Sequence, residues 1–287
     1  MKTITGNTTT HLRFPASGTD RHDWRAFVKM SGHVADTFEK LQEIVAYIGY
    51  YNPGFEIFLR AQSREHLLND GIPSIFPSIY RLRDGNHITQ RALSGRLAAL
   101  ADVEERLLSA LESDQVLPGR MALVRHQEAR WALLQHYRVC HTPLVDVTRS
   151  TRVVASFALP ESDLTVAPEH DRVIYICGTP YLTGNFTHNF ADNLRLLNLR
   201  HALSFKAHRP HEQEGYLIGS LYDWQKATEF HNLAVRVMAK VVVPAAVCTN
   251  LESFWGAYNR IPTSILLPEV DPMKRWLTEH GLIPDSV

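Results

Sequence analysis

Between Ala132 and Ala158 the chain runs Ala-Leu-Leu-Gln-His-Tyr-Arg-Val-Cys-His-Thr-Pro-Leu-Val-Asp-Val-Thr-Arg-Ser-Thr-Arg-Val-Val-Ala-Ser-Phe-Ala: a helical pattern, a polar turn and the opening of a second helix. Asp146, Thr148 and Ser150 stand where that second helix begins. Short polar side chains there satisfy the free N–H groups of a first turn, and the same N–H groups suit a phosphate or ribose. Asp146 has three readings: a cap, an ion-pair partner of Arg60 or Arg149, or a base. Upstream, Arg60 and Gln62 lie in Phe58-Leu-Arg-Ala-Gln62. A guanidinium on an apolar strand needs a counter-charge, so Arg60 reads either as half of an ion pair or as an anion contact. Gln62 reads as a turn hydrogen-bonder or a specificity residue. Gln135, His136 and Tyr137 close the first helix, where His136 either faces the helix C-terminus or belongs to a site. Glu212, Gln213 and Glu214 precede a strand in a polar turn, where the carboxylates read either as surface groups or as site residues.

The elements that must hold these residues follow from periodicity. Phe38, Leu41, Ile44, Val45 and Ile48 predict one face of a helix over 35–50, broken by Asn52-Pro53-Gly54. Glu56 to Ala61 reads as a short buried strand, with Phe58 and Arg60 on one side and Ile57 and Leu59 on the other. The prolines of Ile72-Pro-Ser-Ile-Phe-Pro-Ser-Ile79 exclude a regular helix. Long helices are expected over 92–111 and 121–137, and a shorter one over 150–159, stopped by Pro160. Strands are expected over 172–177, 215–220 and, most strongly, 235–243, with a helix over 189–201 between the first two. Met273 to His280 reads as a last helix ending at Gly281. Helices gather mainly in the first half and strands mainly in the second. The predicted class is therefore α+β with a mixed or antiparallel sheet, in one domain over 35–287 behind an N-terminal arm over 1–34 whose first twenty residues are mobile.

The 287 residues carry 30 Lys plus Arg against 30 Asp plus Glu. That balance gives no global attraction to nucleic acid or to a membrane surface. The Arg149–Arg152 pair and the Arg195–Arg200 segment are the local basic features. Cys140, Cys177 and Cys248 form no Cys-x-x-Cys pair, which points to a reducing compartment rather than a disulfide framework. His136, Cys140 and His141 have ligand-like spacing, but no second pair follows, so no metal is expected. A polar start without an apolar run, and no span of eighteen apolar residues, predict a cytoplasmic protein.

Phe58-Leu-Arg-Ala-Gln62, the Ile72 to Ser78 segment, Gln135-His136-Tyr137 through Phe157-Ala158, Arg209-Pro-His-Glu-Gln-Glu-Gly215, and Ile261 to Asp271 with Leu267-Pro268 occur in this order. Together they resemble the FRG domain family, a mainly bacterial group named for a Phe-Arg-Gly motif. Leu59 and Ala61 stand where that family usually has Phe and Gly, and its Arg…Gln-x-Gly segment places Gln213 at the centre. A second resemblance is to ADP-ribosyltransferases of the Arg-Ser-Glu type, through Arg60, then Thr148-Arg-Ser150-Thr151 before Ala155-Ser-Phe157-Ala158, then Glu212-Gln-Glu214. This resemblance implies an ADP-ribosyltransferase-like fold with NAD as substrate. Arg60, Gln62, His136, Tyr137, Asp146, Thr148 and Ser150 would serve the nucleotide, and Glu212, Gln213 or Glu214 the chemistry. Arg60 would hold the pyrophosphate through charge-assisted bonds. The hydroxyls of Thr148 and Ser150 would orient the nicotinamide ribose, while a glutamate stabilises positive charge on it as nicotinamide leaves. The implied role is transferase or NAD hydrolase, as a toxin or phage-defence effector acting on an unnamed macromolecule. The alternative is a non-catalytic module that binds a nucleotide or a protein.

Overall fold

The computed structural model describes residues 8–12, 19–23, 25, 28–29, 31–82, 86–160, 168–203 and 207–283. Much of the arm expected over 1–20 lies outside them, and within it β1 (Thr8–Leu12) pairs antiparallel with β2 (Thr19–Asp23). The chain forms an α+β fold of two compact units, each woven from separated segments. Residues 1–74, 147–181 and 233–266 build the first, and 75–146, 182–232 and 267–287 the second.

In the first unit, β3 (His33–Val34) runs parallel to β10 (Val237–Val243). Strand β6 (Arg172–Thr179) then lies antiparallel between β10 and β4 (Glu56–Gln62). On its other side β4 pairs Leu59 with Thr148 of β5 (Val145–Thr148), the strand within which the chain enters this unit. The parallel β3–β10 pair beside antiparallel neighbours makes the sheet mixed. Its helix-covered face buries Leu59, Ile174, Ile176, Ala239 and Val241 against α1 (Phe38–Tyr51), α5 (Thr151–Ala158) and α9 (Leu251–Trp255). Helix α1 forms where the apolar spacing predicts it. Thr37 Oγ1 accepts from Lys40 N at 3.1 Å to cap its start, and Asn52 Nδ2 donates to Ile48 O at 2.7 Å at its end. Phe38 anchors its N-terminal turn, with its ring 4.7 Å from Trp255 and 5.1 Å from Tyr258.

In the second unit, β7 (Phe186–Asn189), β8 (Leu194–Asn198) and β9 (Gly215–Ser220) form an antiparallel ribbon. The helix expected over 189–201 is therefore replaced by a hairpin and the short α6 (Leu199–Ala202). Asn189 Oδ1 accepts from Asp192 N at 2.8 Å and Asn193 turns at φ 54°, a conformation Asn tolerates. Leu194, Leu196 and Leu197 then bury both faces of a central strand, and such a run has no clean period of two.

The helix expected over 121–137 is also divided, into α3 (Arg120–Arg125) and α4 (Gln127–His136), by extended backbone at His126. Arg130 Nη1 takes the carbonyls of Leu123 and Val124 at 2.9 and 3.3 Å, and the His126 ring stacks on Phe186. The long α2 (Gln90–Ser113) is joined to α4 through buried Glu104, which accepts from Arg130 Nε and Trp131 Nε1 at 3.0 Å each. Among the described residues no helix is long and apolar enough to cross a membrane.

Phe38→Ala is expected to destabilise the protein by about 3–5 kcal/mol, from lost burial and the cavity left among Phe254, Trp255 and Tyr258. Thr37→Ala should cost only about 1 kcal/mol, the worth of a helix cap. Urea denaturation of the two variants gives the comparison.

Candidate functional site

Each unit holds a cluster of the residues singled out by the sequence. In the first, strand alternation puts Phe58, Arg60 and Gln62 on the face away from the helices, in register with Cys177, Tyr175 and Val173 of β6. Lys240 of β10 continues the row of Tyr175 and Arg60. Glu65 closes over this face, with its Oε1 2.7 Å from Lys240 Nζ and 3.5 Å from Tyr175 Oη. Burial and the Glu65 carboxylate push the Tyr175 hydroxyl well above its ordinary range. Burial pushes the Cys177 thiol up to about 12, against the opposing pull of two guanidinium groups, Arg60 and Arg236. Gln62 serves as a turn hydrogen-bonder, with Nε2 donating to Ser74 O at 3.1 Å.

Thr148, paired directly with Leu59, projects to the helix-covered face, opposite to Arg60. Its Oγ1 accepts from Ser150 N at 3.1 Å, and Ser150 Oγ accepts from Val153 N at 3.4 Å as the N-cap of α5. Both hydroxyls therefore hold the start of that helix. Arg149, one of the partners expected for Asp146, instead places Nη1 2.8 Å from Oε1 of buried Glu56.

The second cluster joins three of the sequence motifs. Gln135, His136 and Tyr137 end α4, and each side chain has a different task. Gln135 Nε2 donates to Asp146 Oδ2 at 2.8 Å, while its Oε1 accepts from Thr142 Oγ1 at 2.8 Å and Ser78 Oγ at 3.1 Å. His136 is buried with Nδ1 3.6 Å from Asp146 Oδ1. Tyr137 Oη donates to both oxygens of Asp271, at 2.9 and 3.0 Å. Asp271, buried, also accepts from Arg209 N and caps α11 (Pro272–Glu279) through Met273 N and Lys274 N. Burial first, then the Asp271 charge, raises the Tyr137 hydroxyl far above its ordinary value, so it stays a donor. The Arg209 guanidinium lies over the Tyr137 ring at 5.4 Å.

Glu212 ends α7 (His208–Glu212) and is exposed, whereas Gln213 and Glu214 are half-buried and lead into β9. Glu214 takes φ 43°, a conformation uncommon outside glycine. The next residue, Gly215, packs so closely that a Cβ there would lie 3.1 Å from Leu199 Cδ1 and 3.7 Å from His136 Cε1. The turn of Glu212, Gln213 and Glu214 thus runs up to His136. Sequence reading missed Arg236, Glu65 and Tyr175, since each acts through a partner distant in the chain, and Thr142, whose hydroxyl reaches Gln135 across the end of α4. Among the described residues no group of three His, Cys, Asp or Glu side chains is arranged to hold a metal ion.

No protein-family model, curated protein or solved structure matches the chain.

Asp271→Ala is expected to cost about 2–4 kcal/mol, combining a lost helix cap with a buried Tyr137 hydroxyl left without its acceptor. Tyr137→Phe should cost less, about 1–2 kcal/mol, because the carboxylate keeps its backbone donors. Denaturant midpoints of the two variants check the order.

Proposed function

We propose that the protein binds an anionic nucleotide through the polar sheet face around Arg60, and that NAD is this nucleotide. The observation that carries the reading is the polar row of Arg60, Tyr175 and Lys240 on one face of the sheet, with the buried Cys177 on the same face. A guanidinium fork matches phosphate oxygens in shape and charge, and a buried setting strengthens each bond it makes. The resemblance to Arg-Ser-Glu ADP-ribosyltransferases supplies the chemistry: cleavage of the bond between nicotinamide and ribose, with transfer of ADP-ribose to an acceptor or to water.

A second reading, a nucleotide-binding module without turnover, is favoured by a specific observation. The hydroxyls of Thr148 and Ser150, which the resemblance assigns to ribose, are engaged at the start of α5.

Arg60→Lys keeps the charge and removes the fork, and should weaken NAD binding about tenfold or more by calorimetry. Nicotinamide release from NAD separates the readings: release lost in Arg60→Lys supports the enzyme, while binding without release supports the module. NAD affinity equal in wild type and variant, with a native melting curve, would remove Arg60 from the reading.

A further inference from the structure

The second unit contains a cavity of about 260 Å³ that takes no part in the NAD reading. Its apolar lining is Phe76, Tyr80, Ile88 and Ala227. Phe76, Tyr80 and Ile88 are buried, whereas His87 and Glu229, which also line it, are exposed and mark the side open to solvent. Thr228 completes the lining, with its hydroxyl already accepting from Phe230 N at 3.4 Å. Glu229 is therefore the one acidic side chain on an otherwise mainly apolar and aromatic wall.

This wall is held in place before any ligand arrives. Pro77 bars a helix at Phe76, and the chain turns over Ser78–Tyr80. Arg96 Nη1 fixes that turn by donating to the carbonyls of Ser78, Ile79 and Arg81 at 3.0, 2.9 and 2.8 Å. Arg81 in turn bridges antiparallel to His87, whose ring meets Phe76 edge to face at 5.9 Å. Tyr80 Oη donates to Trp224 O at 2.9 Å, and its ring stacks on His231 at 4.0 Å. The opposite wall is clipped to the first residue of α2, where Gln90 Oε1 accepts from Ala227 N at 2.9 Å and Nε2 donates to Gln225 O at 2.7 Å. A pocket fixed in this way does not pay for ordering its walls when a ligand binds.

Size and chemistry select the ligand. An apolar cavity of about 150 Å³ takes benzene, so this one suits roughly ten non-hydrogen atoms, one ring and a short arm. Aromatic rings attract a cation, and a carboxylate at the open side fixes where its charge sits. We propose that the cavity binds a small arylalkylammonium, with its ring among Phe76, Tyr80 and Ile88 and its ammonium toward Glu229.

Calorimetry on the full chain tests this, with phenethylammonium as probe and phenethyl alcohol as its uncharged counterpart. Glu229→Gln removes the charge and Ala227→Leu fills the cavity; neither position is buried, so both variants are expected to keep a native melting curve. The ammonium should bind about tenfold more tightly than the alcohol, and Glu229→Gln should remove that difference. Ala227→Leu should weaken both compounds about tenfold by overpacking. In the wild type, the Ile88 methyl signal should move on titration, which locates the ligand without any variant. Equal affinity for ammonium and alcohol, no saturable binding at millimolar concentration, or an unmoved Ile88 signal would overturn the proposal. Binding of a peptide carrying phenylalanine beside lysine, where the free amine does not bind, would overturn it in favour of a protein partner. The NAD reading is untouched by each of these outcomes, because its residues lie in the first unit.

Discussion

Strand β6 is buried at all eight positions and paired along both edges, and the first unit is organised by that constraint. Its helix-facing residues, Ile174 and Ile176, need only apolar neighbours, and Leu59, Val241 and the face of α1 supply them. The opposite row cannot be treated the same way, because Arg60, Tyr175 and Lys240 bring polar atoms where water is scarce. Burial disfavours the charged form of each group, which is why the Tyr175 and Cys177 protons are held so firmly; the Glu65 carboxylate adds to the hold on Tyr175, while the Arg60 and Arg236 guanidinium groups oppose it at Cys177. A polar row of this kind persists only when its members are matched to one another or to a ligand.

The second unit meets the same problem with buried carboxylates. Glu104 joins α2 to α4 by accepting from Arg130 and Trp131, and Asp271 gathers Tyr137, the Arg209 backbone and the start of α11. Each carboxylate has several donors aimed at it, the condition under which a buried charge is tolerated. Asp146 differs in having an exposed carboxylate on a fixed mount, held by Gln135 and turned to His136. The first two are buried and serve structure, whereas the third keeps its side chain partly open to water.

Much of this architecture was legible in local sequence. The α1 stripe, the two-sided strand at Phe58 to Ala61, the Gly215–Ser220 strand and the Asp271-Pro272 helix start all express short-range rules of period and capping. The α+β class followed from the segregation of those patterns. The failures share a physical origin. Leu194 to Asn198 is a central strand of its ribbon, and its buried leucines carry no alternation that distinguishes strand from helix. The break at His126 is decided by Arg130 and Phe186, neither visible as a local breaker. Sequence order singled out Arg60 in the first unit and His136 and Glu214 in the second. It could not show that Thr148 projects to the face opposite Arg60, since one residue of register decides that.

The two units are threaded through one another in sequence, and this bears on how the protein emerges from the ribosome. The first unit lacks its β10 strand until synthesis has passed residue 243, although α1 and β4 are made before residue 63. The second waits longer, because Asp271 lies in the last segment it receives. Early segments must therefore wait for partners made about 180 residues later, with apolar strands exposed meanwhile to wrong pairing. Neither unit can close as its first segments appear, and a nascent chain halted short of residue 271 lacks the carboxylate that gathers the second unit rather than forming a smaller folded protein.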